Sequence, residues 1–196
     1  DGRCRDRFAT YAEAERYLEG KRRPAWRFRA PDETIVFSDR ICGEVRCNPA
    51  ESYGDFPIAR HPDGVGYQLA VVAADIEMEI TEVGRGGDLL DCTPWQMLLY
   101  RALAPEFPLP EFCHVPVAAD AEGARLSKRT GSLTLEALFE RGVRRETILG
   151  LLGFWCGWAE FSEEVTLDEL LTRYDPTTLR GRKPRLDAAA LRLLGV

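Results

Sequence analysis

The chain has 196 residues, of which 45% are hydrophobic, and a formal net charge of −6 at pH 7. This length and composition fit one large domain or two small ones with an ordinary core, which excludes disorder as the main state. The acidic balance excludes a uniformly basic nucleic-acid-binding surface, so any polyanion would have to be bound by one local face.

No part of the sequence predicts a membrane protein. The longest apolar windows, around "YQLAVVAA" and "ILGLLGFWCGWA", are shorter than the roughly 18 residues that a membrane-spanning helix needs. No signal peptide opens the chain, so we expect a cytoplasmic protein without a membrane partner. Six cysteines are scattered through a chain of this size, and we therefore expect reduced thiols rather than disulfides.

The first predicted element is a helix over residues 10–20. Thr10 is placed as its N-cap, Glu13 follows three residues later, and Gly20 lies just past its end, which is the pattern of a capping box and a glycine stop.

Short strands with turns between them are predicted between residues 25 and 73. Their sequences are "AWRFRA", "TIVFSD", "ICGEVRC", "FPIARH" and "YQLAVVA". The last run is apolar throughout, which is typical of a strand buried on both faces of a parallel sheet. A further strand is predicted at 80–85.

The segment "TPWQMLLYRALA" predicts a helix with Thr93 as N-cap and Pro94 as its first residue. The run "FCHVPVA" predicts another strand. Beyond Gly131 the spacing is helical, and Thr166 with Glu169 forms a second capping box. Asp187 is the expected N-cap of the last helix. The run "GFWCGW" predicts core packing, with Trp155 and Trp158 on one helical face.

Residues 124–132, "ARLSKRTGS", form a segment of unusual composition. Between Gly123 and Gly131, Arg125, Lys128 and Arg129 supply three cations in an otherwise acidic chain. Glycines confer backbone freedom, so the pattern predicts a mobile loop that closes on an anion.

Several stretches, taken together, resemble one family. They are "GDFPIARHPDGVGYQLAVVAAD" (54–75), "ITEVGRGGDLLDCTPWQMLLYRAL" (80–103), "HVPVA" (114–118) and "RLSKRTG" (125–131). In order and spacing they are similar to the class I aminoacyl-tRNA synthetases of the glutamyl group. With "RFRAPDETIVFSD" they cover most of residues 25–131.

The resemblance implies that the glycine-flanked loop is similar to the KMSKS loop of that family, which closes over ATP. Lys128 would be the catalytic residue, because a mobile ammonium can neutralise charge that builds on the departing pyrophosphate. The ATP-binding residues implied in this way are Arg125, Leu126, Ser127, Lys128 and Arg129, with Mg²⁺ accompanying the nucleotide.

Two further residues match the family's contacts with its amino-acid substrate, which here would be glutamate. They are Tyr67, which opens "YQLA", and Arg85, which closes "ITEVGR". A guanidinium suits a carboxylate because it offers two parallel hydrogen bonds. Without the resemblance, Arg85 would be interpreted as a surface arginine and Tyr67 as a core aromatic residue.

Within this group the chain resembles the glutamyl-Q tRNA(Asp) synthetases, shortened paralogues that glutamylate queuosine in a tRNA anticodon. The start, "DGRCRDR", is similar to the end of their zinc-binding segment, with Cys4 as the last ligand and the others upstream. The family's early ATP-binding motif has no counterpart here. We therefore expect a carboxyl-terminal piece of a longer protein, acting as a monomer on glutamate and tRNA, which alone would not catalyse.

The fold class that the resemblance implies is α/β. Residues 1–66 would be the end of a zinc segment and a β-rich acceptor-binding-like insertion. Residues 67–131 would be the second half of a Rossmann-type catalytic domain with the KMSKS-like loop. Residues 132–196 would be an α-helical stem-contact-like segment.

Three positions depart from the family pattern. Gly87 and Ala74 stand where an acid is usual, and Trp95 stands where arginine is usual. These changes leave open a non-catalytic synthetase-like RNA-binding protein. A fragment of a glutamyl-tRNA synthetase is a separate alternative, which does not depend on these three positions.

Other polar groups carry weaker predictions. The C-x4-C pair Cys42 and Cys47 would place its thiols on opposite faces of a strand, which argues against a metal site. His61 and His114 are interpreted as structural or surface residues. Basic clusters that offer local phosphate-binding faces lie at Lys21, Arg22, Arg23, Arg27 and Arg29, at Arg141, Arg144 and Arg145, and at Arg180, Arg182, Lys183 and Arg185.

Overall fold

The computed structural model describes residues 5–21, 23–61, 64–126 and 133–196. Its helices are α1 (Tyr11–Leu18), α2 (Pro49–Ser52), α3 (Tyr67–Glu77), α4 (Thr93–Leu103), α5 (Leu135–Glu140), α6 (Arg145–Cys156), α7 (Leu167–Thr172) and α8 (Ala188–Leu193). Its strands are β1 (Trp26–Phe28), β2 (Ile35–Asp39), β3 (Gly43–Cys47), β4 (Phe56–His61), β5 (Gly64–Val65), β6 (Glu82–Gly86), β7 (Glu111–Val115), β8 (Ala119–Asp120) and β9 (Arg185–Leu186). Two short 3-10 helices span Gly87–Cys92 and Pro176–Leu179.

The chain divides into two compact units. Unit 1 comprises residues 1–39, 43–83 and 89–112, and unit 2 comprises residues 40–42, 84–88 and 113–196. The three-part functional division at residues 66 and 131 stays a prediction.

Two of the sheets define the α/β character. One has the order β1-β4-β5 and is antiparallel, and the other has the order β3-β2-β7-β6. Strands β2 and β3 form a hairpin from Ile35↔Cys47 to Asp39↔Gly43, and β2 runs parallel to β7 at Asp39↔Phe112. The predicted strands at 25–61, 80–85 and 112–118 are confirmed to within a few residues.

The prediction that "YQLAVVA" forms a strand is wrong, because these residues begin the 11-residue helix α3. An apolar run does not by itself distinguish a buried strand from a helix. Leu69, Val72 and Ile76 lie on one side of α3 and join the core of unit 1. Only Val72 is fully buried in this helix, so the run packs by one face and not by two.

The core of unit 1 combines aromatic rings with aliphatic side chains. The fully buried residues include Phe56, Val72, Leu99 and Tyr100, with exposed fractions of 2% or less. The rings of Phe28 and Phe56 stack with centroids 5.1 Å apart. Burial on this scale is the dominant favourable contribution to folding.

A buried carboxylate lies beside this core. Asp55 accepts hydrogen bonds from Nε and Nη2 of Arg5 at 2.8 and 2.5 Å, and from the backbone N–H of Ala30 at 2.9 Å. The bidentate Arg5 contact lowers the pKa of the Asp55 carboxyl from 3.8 to about 2, with a further contribution from the Ala30 N–H. The charge is therefore satisfied inside the fold.

Helix α4 begins at Thr93, and not one residue later as the capping pattern predicted. A 3-10 helix leads into it, and Cys92 occupies the N-cap position without a side-chain cap. Thr93 is instead a buried helical residue. Boundaries of this kind commonly shift by a residue.

The helices of unit 2 carry the predicted caps. The side chain of Thr166 accepts from the backbone N–H of Glu169, whose carboxylate accepts from the N–H of Thr166. Asp187 caps α8 through the N–H groups of Ala189 and Ala190. In unit 1, Thr10 caps α1 as predicted. The predicted capping box and glycine stop are wrong there, because the Glu13 carboxylate accepts from the N–H of Ala9 and Glu19 ends the helix in the left-handed conformation.

The pairing of Trp155 and Trp158 on one helical face is wrong. Gly157 ends α6 in the left-handed conformation, so Trp158 lies beyond the helix. Trp155 packs against the core of unit 2. The indole N–H of Trp158 donates to the hydroxyl of Thr178 at 2.9 Å.

Two glycines of α6 allow its close packing in unit 2. A Cβ on Gly150 would lie 1.7 Å from the carbonyl oxygen of Glu163, and one on Gly153 would lie 2.7 Å from a methyl of Leu170. The first contact is with backbone, which cannot move aside as a flexible side chain can. Glycine at position 150 is therefore a packing requirement.

Among the described residues, no disulfide joins Cys42, Cys47, Cys92, Cys113 or Cys156, and their reduced state stays a prediction. Burial raises the pKa of the Cys156 thiol. Over the described part of the chain, every helix is too short or too polar to cross a membrane.

Candidate active site

Arg85 lies near the end of β6 and is held by a buried histidine. Its Nε–H donates to Nε2 of His114 at 2.9 Å, and His114 is 1% exposed. This contact with a buried ring fixes the direction of the Arg85 guanidinium. Arg85 is half-buried, so its interpretation as an ordinary surface arginine is wrong.

The next residues along the chain form a tight backbone segment within unit 2. A Cβ on Gly87 would lie 3.2 Å from the carbonyl oxygen of Val115, and one on Gly86 would lie 2.5 Å from Oδ1 of Asp88. The glycine at position 87, where the family pattern has an acid, thus fits a close approach to β7.

Asp88 was not identified from the sequence, and it connects two predicted site regions. Its Oδ2 forms an ion pair with Nη1 of Arg125 at 2.6 Å. This pair brings the base of the glycine-flanked loop to the segment that follows Arg85. The sequence does show an acid directly after "RGG", but it does not show that this acid pairs with Arg125, which lies far along the chain.

A tight turn holds the residues that lead into the loop. The backbone N–H of Asp120 donates to the Ala124 carbonyl at 2.8 Å, and the Asp120 carboxylate accepts from the N–H of Ala124 at 2.7 Å. Gly123 has φ +89°, which a residue with a side chain rarely adopts. The N–H of Leu126 donates to the Ala118 carbonyl at 3.2 Å. Arg125 and Leu126 therefore enter the loop from a fixed base.

The predicted catalytic Lys128, its neighbours Ser127 and Arg129, and the predicted zinc ligand Cys4 lie outside the described residues. Their roles stay predictions, as do the ATP contacts of Arg125 and Leu126.

Tyr67 is the first residue of α3 in unit 1, and not part of a strand. It is 60% exposed, so the interpretation as a core aromatic is wrong. Gly66 fixes its position, because the Gly66 N–H donates to the Ile58 carbonyl at 2.7 Å and a Cβ there would lie 2.9 Å from the same oxygen. Tyr67 thus stands at the start of a helix that packs closely on β4.

Of the other departures from the family pattern, Trp95 has a structural role. Its ring stacks on Phe56 and meets Tyr53 edge-on, each with centroids 5.1 Å apart. Its indole N–H is buried without a hydrogen-bond partner among the described residues. Ala74 is an exposed residue of α3, so its replacement of an acid leaves the core unchanged.

A resident metal site finds no support in the described ranges. They contain no group of three or more His, Cys, Asp or Glu side chains arranged to hold an ion. Zinc binding by these residues is therefore not supported, and His114 is a structural residue.

The fold is similar to that of solved glutamate-tRNA ligases. It is similar to a crystal structure of a glutamate tRNA ligase from Elizabethkingia meningosepticum in complex with its amino acid, with a TM-score of 0.70 and 27% identity over 94% of this chain and 40% of that one. A glutamate-tRNA synthetase from Elizabethkingia anophelis gives a TM-score of 0.70 at 26% identity, covering 94% of this chain and 41% of that one. The predicted α/β class is confirmed.

The chain belongs to the family of class I tRNA synthetases (E and Q), catalytic domain, which matches residues 1–190. Within that family it is 41% identical to the glutamyl-Q tRNA(Asp) synthetase of Symbiobacterium thermophilum over 98% of this chain, and 42% identical to that of Nitratidesulfovibrio vulgaris over 80%. The chain spans 58% and 47% of the lengths of these two relatives. The resemblance seen in the motifs is confirmed.

Proposed function

We propose that the protein to which this chain belongs activates glutamate with Mg–ATP and transfers the glutamyl group to a hydroxyl of queuosine in tRNA(Asp). The observation that supports this most is the identity of 41% and 42% to two curated relatives of that name. The arrangement of Arg85 and the loop base in unit 2 fits the same chemistry.

Activation joins glutamate to the α-phosphate of ATP. A carboxylate oxygen of glutamate attacks the α-phosphorus, the bond to the bridging oxygen of the pyrophosphate breaks, and pyrophosphate leaves with the electron pair. A queuosine hydroxyl then attacks the acyl carbon of glutamyl adenylate, loses its proton and releases AMP. Magnesium enters this scheme as part of the Mg–ATP substrate.

In this scheme Arg85 binds the glutamate carboxylate that is not activated. The contact with His114 fixes one side of its guanidinium and so reduces the rotamer entropy that binding would otherwise cost. The family resemblance predicts Tyr67 as a second contact of glutamate, and this role stays a prediction. Lys128 neutralises the charge that develops on the pyrophosphate.

The role of Lys128 can be tested in the complete protein by Lys128→Ala. We expect glutamate-dependent ATP–pyrophosphate exchange to fall by about two orders of magnitude or more, equivalent to about 3 kcal/mol at the transition state. Leu135→Ala, at an exposed position beyond the loop, is the control and should exchange normally. Normal exchange by the Lys128 variant would refute the assigned role.

A second candidate is charging of a tRNA 3′ end with glutamate, because glutamate–tRNA ligases are also similar. That of Helicobacter pylori strain HPAG1 is 40% identical over 80% of this chain, which covers 33% of that protein. Both candidate reactions form glutamyl adenylate, so they are distinguished by the RNA that accepts the glutamyl group. We expect labelled glutamate on tRNA(Asp) that carries queuosine and none on tRNA(Glu). The reverse result would favour the ligase.

Loss of exchange in the wild-type complete protein would instead favour the non-catalytic alternative. We place the reaction in the cytoplasm, with the enzyme acting as a monomer.

A further inference from the structure

One ion pair of unit 2 connects two segments of the predicted site. Oδ2 of Asp88 lies 2.6 Å from Nη1 of Arg125, and the Asp88 side chain is 27% exposed. Arg85, the predicted glutamate ligand, lies three residues before Asp88 in the chain. Because Arg125 is a predicted ATP ligand, the Asp88 carboxylate links the segments that would bind the two substrates.

The Asp88 carboxylate lies against the backbone at the end of β6. A Cβ on Gly86 would lie 2.5 Å from Oδ1 of Asp88 and 3.4 Å from a methyl carbon of Val117. Glycine at position 86 therefore leaves room for the carboxylate to fold back over the chain. One of its oxygens lies beside Gly86, and the other contacts Arg125.

The backbone of Arg125 is held by other parts of unit 2. Arg125 forms an isolated antiparallel bridge with Ala119, and β8, which contains Ala119, pairs with β9. Nη1 of Arg185 in β9 donates to the carbonyl of Ala121 at 3.0 Å. The Arg125 side chain is 64% exposed, and a long exposed side chain samples many rotamers. Asp88 therefore adds a fixed direction to a side chain whose backbone is already placed.

We propose that Asp88 is a positioning residue for ATP, which holds the Arg125 guanidinium in the direction from which it contacts the triphosphate. The ion pair is made through Nη1, and a guanidinium carries further N–H donors that suit phosphate oxygens. An ordered guanidinium loses less entropy when a phosphate binds. Reaction between two substrates also depends on their relative placement. The inference rests on the proposed function, because it takes Arg125 as an ATP ligand.

The test compares Asp88→Ala with Glu163→Ala in the complete protein. Both remove one carboxylate from an ion pair of unit 2, since Glu163 pairs with Arg173 at 2.8 Å. Glutamate-dependent ATP–pyrophosphate exchange gives the KM for each substrate. We expect Asp88→Ala to raise the KM for ATP about fivefold and to change the KM for glutamate less than about twofold. Glu163→Ala should change neither KM by more than about twofold.

A double-mutant cycle shows whether Asp88 acts through Arg125. Arg125→Ala should itself raise the KM for ATP, and the double variant Asp88→Ala/Arg125→Ala should be no worse than Arg125→Ala alone. Losses that multiply fully would show that the carboxylate acts through another group and would overturn the proposal. A lower KM for ATP in Asp88→Ala would show that the carboxylate competes with phosphate for the guanidinium, which would also overturn it.

Asp88→Asn is a second variant in case Asp88→Ala does not fold. Its amide oxygen can still accept a hydrogen bond from Arg125, so we expect a partial rescue, with a KM for ATP about twofold above that of the wild type. A merely structural role would raise the KM values for ATP and glutamate together. That result, or an unchanged KM for ATP in both Asp88 variants, would contradict the positioning role.

Equilibrium binding distinguishes this inference from the proposed function. Mg–ATP is titrated into each variant and followed by isothermal titration calorimetry, which requires no reaction. A wild type without exchange, in which Asp88→Ala still weakens Mg–ATP binding about fivefold, would refute the proposed activity and retain the role of Asp88. A wild type with exchange whose KM for ATP does not depend on Asp88 would refute this inference alone.

Discussion

The two units differ in what their packing depends on. In unit 1, large aromatic rings fill the core beside a buried carboxylate. In unit 2, helix α6 packs closely because glycine has no side chain at the contact. Asp55 is 7% exposed and depends on Arg5 and the Ala30 N–H for its charge to be tolerated. The packing at Gly150 requires only that no Cβ lies beside the carbonyl oxygen of Glu163. Unit 1 should therefore respond to pH at this site, and unit 2 should respond to the addition of a single methyl group.

The largest effect should come from Gly150→Ala in unit 2. Alanine favours an isolated helix over glycine by about 1 kcal/mol, but here the new Cβ would meet backbone at 1.7 Å. We expect a net loss of about 3 kcal/mol in the free energy of unfolding, at the upper end for overpacking. Urea denaturation followed by circular dichroism measures it.

Gly84→Ala is the matched control, because a Cβ there would have nothing within 4 Å. It should change stability by less than about 0.5 kcal/mol. Equal stability of the two alanine variants would contradict the packing argument for α6.

Asp55→Asn should have the next largest effect, in unit 1. The folded pKa of about 2 lies below the ordinary value of 3.8. The carboxylate therefore contributes about 2 kcal/mol to stability above about pH 4. We expect the variant to lose about that amount at pH 7, measured by urea denaturation.

The sign of the pH dependence follows from the lowered pKa. Because the folded state binds the proton less readily, the wild type should lose this contribution as the pH falls from about 4 through about 2. The difference between wild type and Asp55→Asn should shrink over that interval. Glu44→Gln, at an exposed ion pair, should show a difference below about 0.5 kcal/mol at pH 7, and a constant Asp55 difference down to pH 2 would contradict the assignment.

The smallest expected loss of stability comes from removing a helix cap, and it can be compared between the two units. Thr166 has a reciprocal capping box with Glu169, whereas the carboxylate of Glu13 accepts from Ala9, one residue before the cap Thr10. Thr166→Ala should lower stability by about 1 kcal/mol and Thr10→Ala by about half as much. Thermal unfolding of both variants checks the order, and a larger loss at Thr10 would contradict it.

Elements that depend on residues close together in the sequence could be predicted from the sequence alone. The strands of the β2–β3 hairpin alternate in burial, and the caps at Thr10, Thr166 and Asp187 depend on residues within three positions of each other. Local patterns of this kind are visible without tertiary information.

Helix α3 and Trp158 were predicted wrongly because the deciding contacts are tertiary. Two adjacent valines in α3 favour a strand locally, yet the surrounding alanines and the packing of one face on the core of unit 1 favour a helix. Trp158 follows the left-handed Gly157, which breaks the helical spacing. Periodicity alone could not show where either segment would pack.

Arg85 and Tyr67 were assigned to the site from motif resemblance, which identifies residue types at known spacing, and their roles stay predictions. The contacts of His114 with Arg85 and of Asp88 with Arg125 were not predicted, because they join residues that are distant in the sequence. Single-sequence reasoning has no information on such long-range pairs.

The bidentate grip of Arg5 on Asp55 has a practical consequence for shortened versions of the protein. Trimming the chain past position 5 would remove the cation and leave an inward-facing anion without its counter-ion. Such an anion would take up a proton or draw in water. Any truncation at the amino-terminal side should therefore retain Arg5.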